Sequence, residues 1–183
     1  RIPISSRNPD IDTMVGGKPR MVIFNRADQA DPDQTAAWKA WYRDKRYAVL
    51  ETDAKTGKGV GQFAAEVRLA LKEKIAQWKA KGQVGRPVRM VVGVPNVGKS
   101  TFINKVAKRK SAKAGDRPGV TRGKQWVSVD AWMDLLDTPG ILWPKFDDET
   151  TGLHLAFTGA VRDEVMDSEE LAASLLELLR DRY

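Results

Sequence analysis

The stretch "GVPNVGKST", residues 93–101, constrains the fold of this chain more than any other feature. It follows the apolar run "PVRMVVGV" at 87–94 and leads into a segment of helical character through about Val106. Strand, glycine-bearing turn and helix in that order are the setting of a P-loop, Gly93-x4-Gly98-Lys99-Ser100. Its glycines let the backbone of Pro95, Asn96, Val97, Gly98 and Thr101 curl around phosphate oxygens. Lys99 reaches the β- and γ-phosphates, and Ser100 ligates Mg²⁺. A fortuitous glycine turn is the alternative, and the flanking strand and helix weigh against it.

The rest of the chain supplies elements of matching kind. Apolar runs at 20–24, 47–52 and 87–94 have the length of buried strands, and two further strands at 124–130 and 131–136 form a hairpin. A helix is expected from Asp31-Pro32 through about Asp44. Val60, Phe63, Ala64, Val67, Leu71, Ile75 and Trp78 define one long amphipathic helix closed by Gly82. A short helical turn is expected at 10–15, a helix from Gly152, and a final helix from 168 to 183 capped by Ser168. Strands alternating with helices argue an α/β fold with a mostly parallel sheet flanked by helices.

Further motifs suit the cradle. "DTPG" at 137–140 follows the strand "WMDLL"; there Asp137 can hold Mg²⁺ through water, and the Gly140 N–H can meet the γ-phosphate. Thr121, in "RPGVTRG", can give a second hydroxyl to Mg²⁺ once a γ-phosphate orders its loop. Taken singly, each of these reads as a turn or a surface loop. "FNRAD" at 24–28 resembles the base-reading Asn-Lys-x-Asp of GTPases. Asp28 can accept from guanine N1–H and its 2-amino group, Asn25 can bind the base edge and brace the P-loop, and the Arg26 head can stack on the base. "TDAKTG" at 52–57 resembles the second base-contacting loop, with Asp53 in place of the usual Ser and Ala54-Lys55 retained.

In the usual order these base-reading motifs come last, whereas here they come first and the other three keep their sequence. That is one rotation of the order, as a circular permutation produces. A site depends on where loops sit on the sheet and not on where the chain starts.

Composition bears on partners. The net charge of +7 suits a polyanion, with a lysine-rich solvated surface as the alternative. From Lys105 to Lys124 eight basic residues face one acid, Asp116, next to the cradle. The chain has no cysteine, which excludes disulfides and thiolate metal sites. No apolar run approaches the roughly 18–20 residues of a membrane span. His154, the sole histidine, reads as a partly exposed helix residue. Most of the six tryptophans read as core; Trp126 and Trp143, beside the switch loops, are candidates for stacking RNA bases. Asp147, Asp148 and Glu149 read as a solvated loop.

The order of motifs, together with "RIPISSRNP", "GVPNVGKST", "RPGVTRGKQWV" and "DTPGILWPKF", resembles the RbgA/YlqF family of circularly permuted GTPases over essentially the whole chain. The resemblance implies a monomeric, cytoplasmic large-subunit assembly factor that binds GTP or GDP with Mg²⁺, contacts ribosomal RNA, involves no membrane, and leaves on hydrolysis. Its catalytic residues by resemblance are Lys99, Thr121 and Gly140. Ile141 follows "DTPG" where many GTPases carry the glutamine that orients water, which implies slow hydrolysis alone and a missing group supplied by the ribosome, by K⁺ or by the protein itself. Asn96 matches the asparagine that helps hold K⁺ in potassium-activated GTPases. Residues 1–158 correspond to the GTPase domain, and 159–183 to the start of a C-terminal helical domain cut short at Tyr183. A strand that family members carry before the position of Arg1 is expected to be missing, leaving a gap near the sheet's centre. Two other classes stay open on the residues alone: a P-loop ATPase or small-molecule kinase with "NRAD" accidental, and an RNA-binding module without turnover.

Overall fold

The computed structural model describes residues 2–83, 88–108, 123–146, 148–162 and 166–180. Thr121 and most of the basic 105–124 segment lie outside them. After a short helix α1 (Asp10–Val15), the apolar runs become β1 (Met21–Phe24), β2 (Ala48–Glu51) and β3 (Val88–Val91). The hairpin is β4 (Gln125–Asp130) and β5 (Met133–Asp137). Between them lie α2 (Pro32–Asp44), α3 (Phe63–Ala70), α4 (Lys72–Ala80) and α5 (Lys99–Val106), and α6 (Glu149–Phe157) and α7 (Ser168–Arg180) follow.

Several boundaries follow from capping chemistry. The Asp31 side chain accepts from the Gln34 N–H at 2.8 Å and Pro32 takes the first helical position, so α2 starts where the sequence places it. The long helix expected over 60–78 is two helices, parted where the Leu71 backbone (φ −111°, ψ 8°) leaves the helical region. Its first half buries Phe63 and Val67, and Leu71 ends that stripe; no α4 residue is buried. α6 starts at Glu149, three residues before the expected Gly152. Asp148 is its cap, accepting from the Thr151 N–H at 2.7 Å and the Thr151 hydroxyl at 2.9 Å. The solvated-loop reading of Asp148 and Glu149 is therefore corrected. At α7 the capping carboxylate is Asp167, accepting from the amides of Glu169 and Glu170, and not Ser168.

Among the described residues, two of the three strand pairings are parallel. β1 pairs with β2 and β3 with β5, while β4 joins β5 antiparallel. The described strands form two sheets, β1-β2 and β3-β5-β4, where one was expected to carry a central gap. Packing joins them where hydrogen bonds do not. Leu50 from β2 and Phe63 and Val67 from α3 share one apolar cluster with Phe102 and Ile103 of α5 and Val127 and Leu135 of the other sheet. A second cluster, around Val94, Trp143, Leu155 and Ala160, lies under the P-loop and α6. This common core brings the exits of β1, β2, β3 and β5 together.

Candidate functional site

Asn25, at the exit of β1, reaches across 72 positions of sequence to the P-loop. Its Nδ2 donates to the Val97 carbonyl at 2.9 Å. Its Oδ1 accepts from the Thr52 hydroxyl at 3.2 Å and the Ala54 N–H at 3.0 Å. One amide thus binds three loops, those leaving β1, β2 and β3. Gly98, with φ at 89°, has no room for a side chain, because a Cβ there would overlap Asn25 Nδ2. Next to it, Arg26 donates from Nη2 to Asn96 Oδ1 at 3.2 Å. Asp28 is exposed in a short 3₁₀ turn, Ala27–Gln29, with its carboxylate open to solvent.

The second base loop is built around Asp53. Its buried carboxylate accepts from the Lys55 N–H at 2.9 Å, the Thr56 N–H at 3.3 Å and the Thr56 hydroxyl. The Thr56 hydroxyl is the main cause of the lowering of its pKa below the usual carboxylate value. Asp53 therefore shapes the turn that presents Ala54 and Lys55, and its side chain does not face outward.

In the phosphate cradle, Lys99 Nζ donates to the carbonyls of Gly93 at 3.0 Å and Val94 at 2.9 Å. Burial lowers the ammonium to about 8, while the nearby Asp137 carboxylate acts in the opposite direction. The Ser100 hydroxyl donates to Asp137 Oδ2 at 2.8 Å. Asp137 is 0% exposed, and its other oxygen, Oδ1, has no hydrogen-bond partner. Burial drives this carboxyl above its usual range against the lowering by Ser100 and Lys99. A buried carboxylate oxygen without a donor, beside a serine hydroxyl, is a donor set that fits a hard divalent cation such as Mg²⁺.

The "DTPG" loop packs on this cradle. The Thr138 hydroxyl donates to the Val91 carbonyl at 2.7 Å, and the Ile141 N–H to the Gly93 carbonyl at 3.4 Å. A Cβ on Gly140 would stand 2.5 Å from Pro95 Cα and 2.6 Å from Pro95 N, so the two loops approach as closely as glycine permits. Ile141 itself is 55% exposed and apolar.

A family profile described as "50S ribosome-binding GTPase" matches residues 89–179. Ribosome biogenesis GTPase A of Bacillus cereus is 47% identical over all of this chain and 62% of its own length. The protein of that name from Priestia megaterium is 48% identical over all of this chain and 64% of its own length. Among solved structures, a GNP-bound YlqF from T. maritima superposes with a TM-score of 0.62 at 26% identity, over 97% of this chain and 64% of that one. The chain belongs to the RbgA/YlqF family. It spans less than two thirds of the length of these relatives.

Within this RbgA/YlqF chain, Asn25, Arg26, Ala54, Asn96, Val97, Gly98, Lys99, Ser100, Asp137 and Gly140 converge on one site. Thr121 lies outside the described residues. Lys55 is exposed, and its backbone N–H is held by Asp53. Sequence reasoning missed the exit of α6: the Thr158 carbonyl accepts from Asn96 Nδ2 at 3.0 Å, a contact that no motif signals. It also misread two tryptophans, Trp143 and Trp41. Trp143 is buried against Phe146, whereas Trp126 is 65% exposed on β4. Trp41 is exposed as well, and Trp132 lies under the Arg68 guanidinium. His154 is half-buried and hydrogen-bonded to the Ser5 hydroxyl at 3.0 Å. Among the described residues no helix is long and apolar enough to cross a membrane.

Proposed function

We propose that this chain is the guanine-nucleotide-binding part of an assembly factor for the large ribosomal subunit, hydrolysing GTP to GDP and phosphate. The observation that carries the reading is the Asn25 brace. A base-reading motif that precedes the P-loop in sequence is fastened to it in space, as a circularly permuted GTPase requires and an accidental "NRAD" does not. The relatives, ribosome biogenesis GTPases by name, support the ribosomal setting.

In this reading Asp28 pairs with guanine N1–H and its 2-amino group, Arg26 stacks on the base, and the turn held by Asp53 presents Ala54 and Lys55. Pro95 to Thr101 wrap the phosphates. Lys99 leaves the Gly93 and Val94 carbonyls for the β- and γ-phosphates, where a charge in a desolvated site acts strongly. Ser100, Asp137 and Thr121 would hold Mg²⁺, which would neutralise developing phosphate charge. The Gly140 N–H addresses the γ-phosphate. Ile141 is unable to orient water, so turnover is slow until the large subunit or K⁺ supplies what is missing. For K⁺, Asn96 Oδ1 has a second lone pair beside the one Arg26 occupies.

Residues 1–158 form the GTPase domain in this account and 159–183 begin a helical extension. The basic segment Lys105–Lys124 contacts ribosomal RNA. The protein acts as a cytoplasmic monomer and leaves the subunit on hydrolysis. GTP turnover in potassium buffer, with and without purified large ribosomal subunits, tests the reading. Strong stimulation by the subunits is expected; GTP binding without any stimulation would remove the ribosomal part.

A further inference from the structure

Asn96 stands where three parts of the site meet, and both polar ends of its side chain are engaged. Its Oδ1 accepts from Arg26 of the base loop, and its Nδ2 donates to Thr158 at the end of α6. The end of α6 is a closed C-cap. Gly159 is left-handed (φ 68°), its N–H bonds the Ala156 carbonyl at 2.8 Å, and the Ala160 N–H bonds the Leu155 carbonyl at 2.9 Å. Those bonds leave the Thr158 carbonyl unused within the helix, and Asn96 takes it. The fit is close, since a Cβ on Gly159 would stand 2.8 Å from Asn96 Nδ2. Ala160, immediately beyond, is buried with Val94 of the P-loop, Trp143 and Leu155. α6 in turn packs against α7, whose Leu175, Leu176, Leu178 and Leu179 are exposed.

We propose that Asn96 is a positioning residue linking guanine recognition to the exit of α6, so that nucleotide binding fixes the α6–α7 arm. The inference rests on the guanine-nucleotide reading above. The physical link is short and continuous. Arg26 is the residue assigned to stack on the base, its guanidinium holds Asn96, and Asn96 holds the terminal carbonyl of α6. Arg26 (φ 59°) is left-handed, a conformation sparsely populated by such residues, so it is held in place by its contacts, whereas at Asn96 (φ 56°) asparagine adopts the same conformation readily. Seating the base restricts Arg26, which restricts Asn96, which fixes the helix end. By linkage the effect is reciprocal, and disturbing the α6 exit weakens nucleotide binding even though Gly159 touches neither base nor phosphate in this account.

Glycine substitution isolates the link, because Asn96→Gly keeps a left-handed backbone and the cradle amides while removing the side chain. Hydrogen exchange is measured on the full chain with and without saturating GDP. In the unsubstituted protein GDP is expected to slow exchange of the Gly159 and Ala160 amides about fivefold or more. In Asn96→Gly, with GDP still bound, that slowing is expected to vanish; its persistence overturns the proposal. The reciprocal arm uses Gly159→Ala, expected to weaken GDP binding about three- to tenfold. Against an Asn96→Gly background the same change still strains the left-handed helix end, but it should no longer weaken GDP binding, since the side chain that carries the effect to the site is gone. An equal loss in both backgrounds also overturns the proposal. Failure of the unsubstituted chain to bind any guanine nucleotide is a separate result. It defeats the site reading and this inference with it.

Discussion

Asn25 and Val97 are joined by a 2.9 Å hydrogen bond from the Asn25 side-chain amide to the Val97 carbonyl, across 72 positions of sequence. With the two bonds that Asn25 Oδ1 accepts, it makes the base loop and the phosphate loop one rigid unit. Asn25→Ala leaves a carbonyl, a hydroxyl and an amide without their partner. Loss of about 1–3 kcal/mol of stability is expected by chemical denaturation, together with at least a tenfold loss of GDP affinity. Unchanged affinity would separate the brace from nucleotide binding.

Gly140 tests the contact between the "DTPG" loop and the cradle. Gly140→Ala drives a methyl into Pro95 backbone, which is unable to rotate away as a flexible side chain does. The loops must part. GTP turnover is expected to fall at least tenfold while GDP binding, which needs no γ-phosphate contact, changes little. Equal losses for GDP and GTP would point to collapse of the cradle.

Lys99 gives the site a pH signature. Its folded value of about 8 lies below the ordinary lysine value of 10.5, owing chiefly to burial. Between those values the unfolded chain keeps the proton and the folded chain has lost it. The stability of the nucleotide-free protein from this group therefore rises as pH climbs from about 8 toward 10.5. Phosphate binding needs the charged form and runs the other way. GDP affinity should drop about tenfold per unit above pH 8, and Lys99→Met should abolish that slope.

Asp137 gives a matching metal signature. Its buried carboxylate is held above the usual range, so over that window the folded state binds more protons and stability falls with rising pH. A divalent cation removes the penalty. Mg²⁺ is expected to raise the melting temperature of the unsubstituted protein near neutral pH and to leave that of Asp137→Asn unchanged; the same Mg²⁺ response in both would exclude Asp137 as a ligand.

Much of this arrangement was legible because local chemistry and tertiary need agree there. The apolar runs ending at Phe24, Glu51 and Val91 stop where polar loop residues begin, and those loops form the site. The Asp31-Pro32 start of α2 is a local signal that the structure keeps. The Asp148 cap is hidden because a carboxylate before a helix looks like a solvated charge until the helix start is known, and at α7 Ser168 suits a cap by residue type as well as Asp167 does. The split at Leu71 was hidden because periodicity records which residues face the core and not whether the backbone stays helical between them. The separation into two sheets was anticipated as a gap through the family resemblance and not from any residue pattern. The Asn96–Thr158 contact was invisible for a plainer reason. It joins a side chain to a backbone carbonyl, and a carbonyl leaves no mark in a sequence.

The proposed recognition of guanine by "NRAD", which precedes the P-loop, turns on one carboxylate. Asp28 is the residue that would read it, and it is exposed in the short turn that follows Asn25 and Arg26. The deciding measurement is the binding of GDP and xanthosine diphosphate to the unsubstituted protein and to Asp28→Asn. Exchanging the acceptor for an amide should lower GDP affinity at least a hundredfold and shift preference to the xanthine nucleotide, since the base's donors and the site's acceptors no longer match. GDP binding that is unchanged in Asp28→Asn would contradict the account.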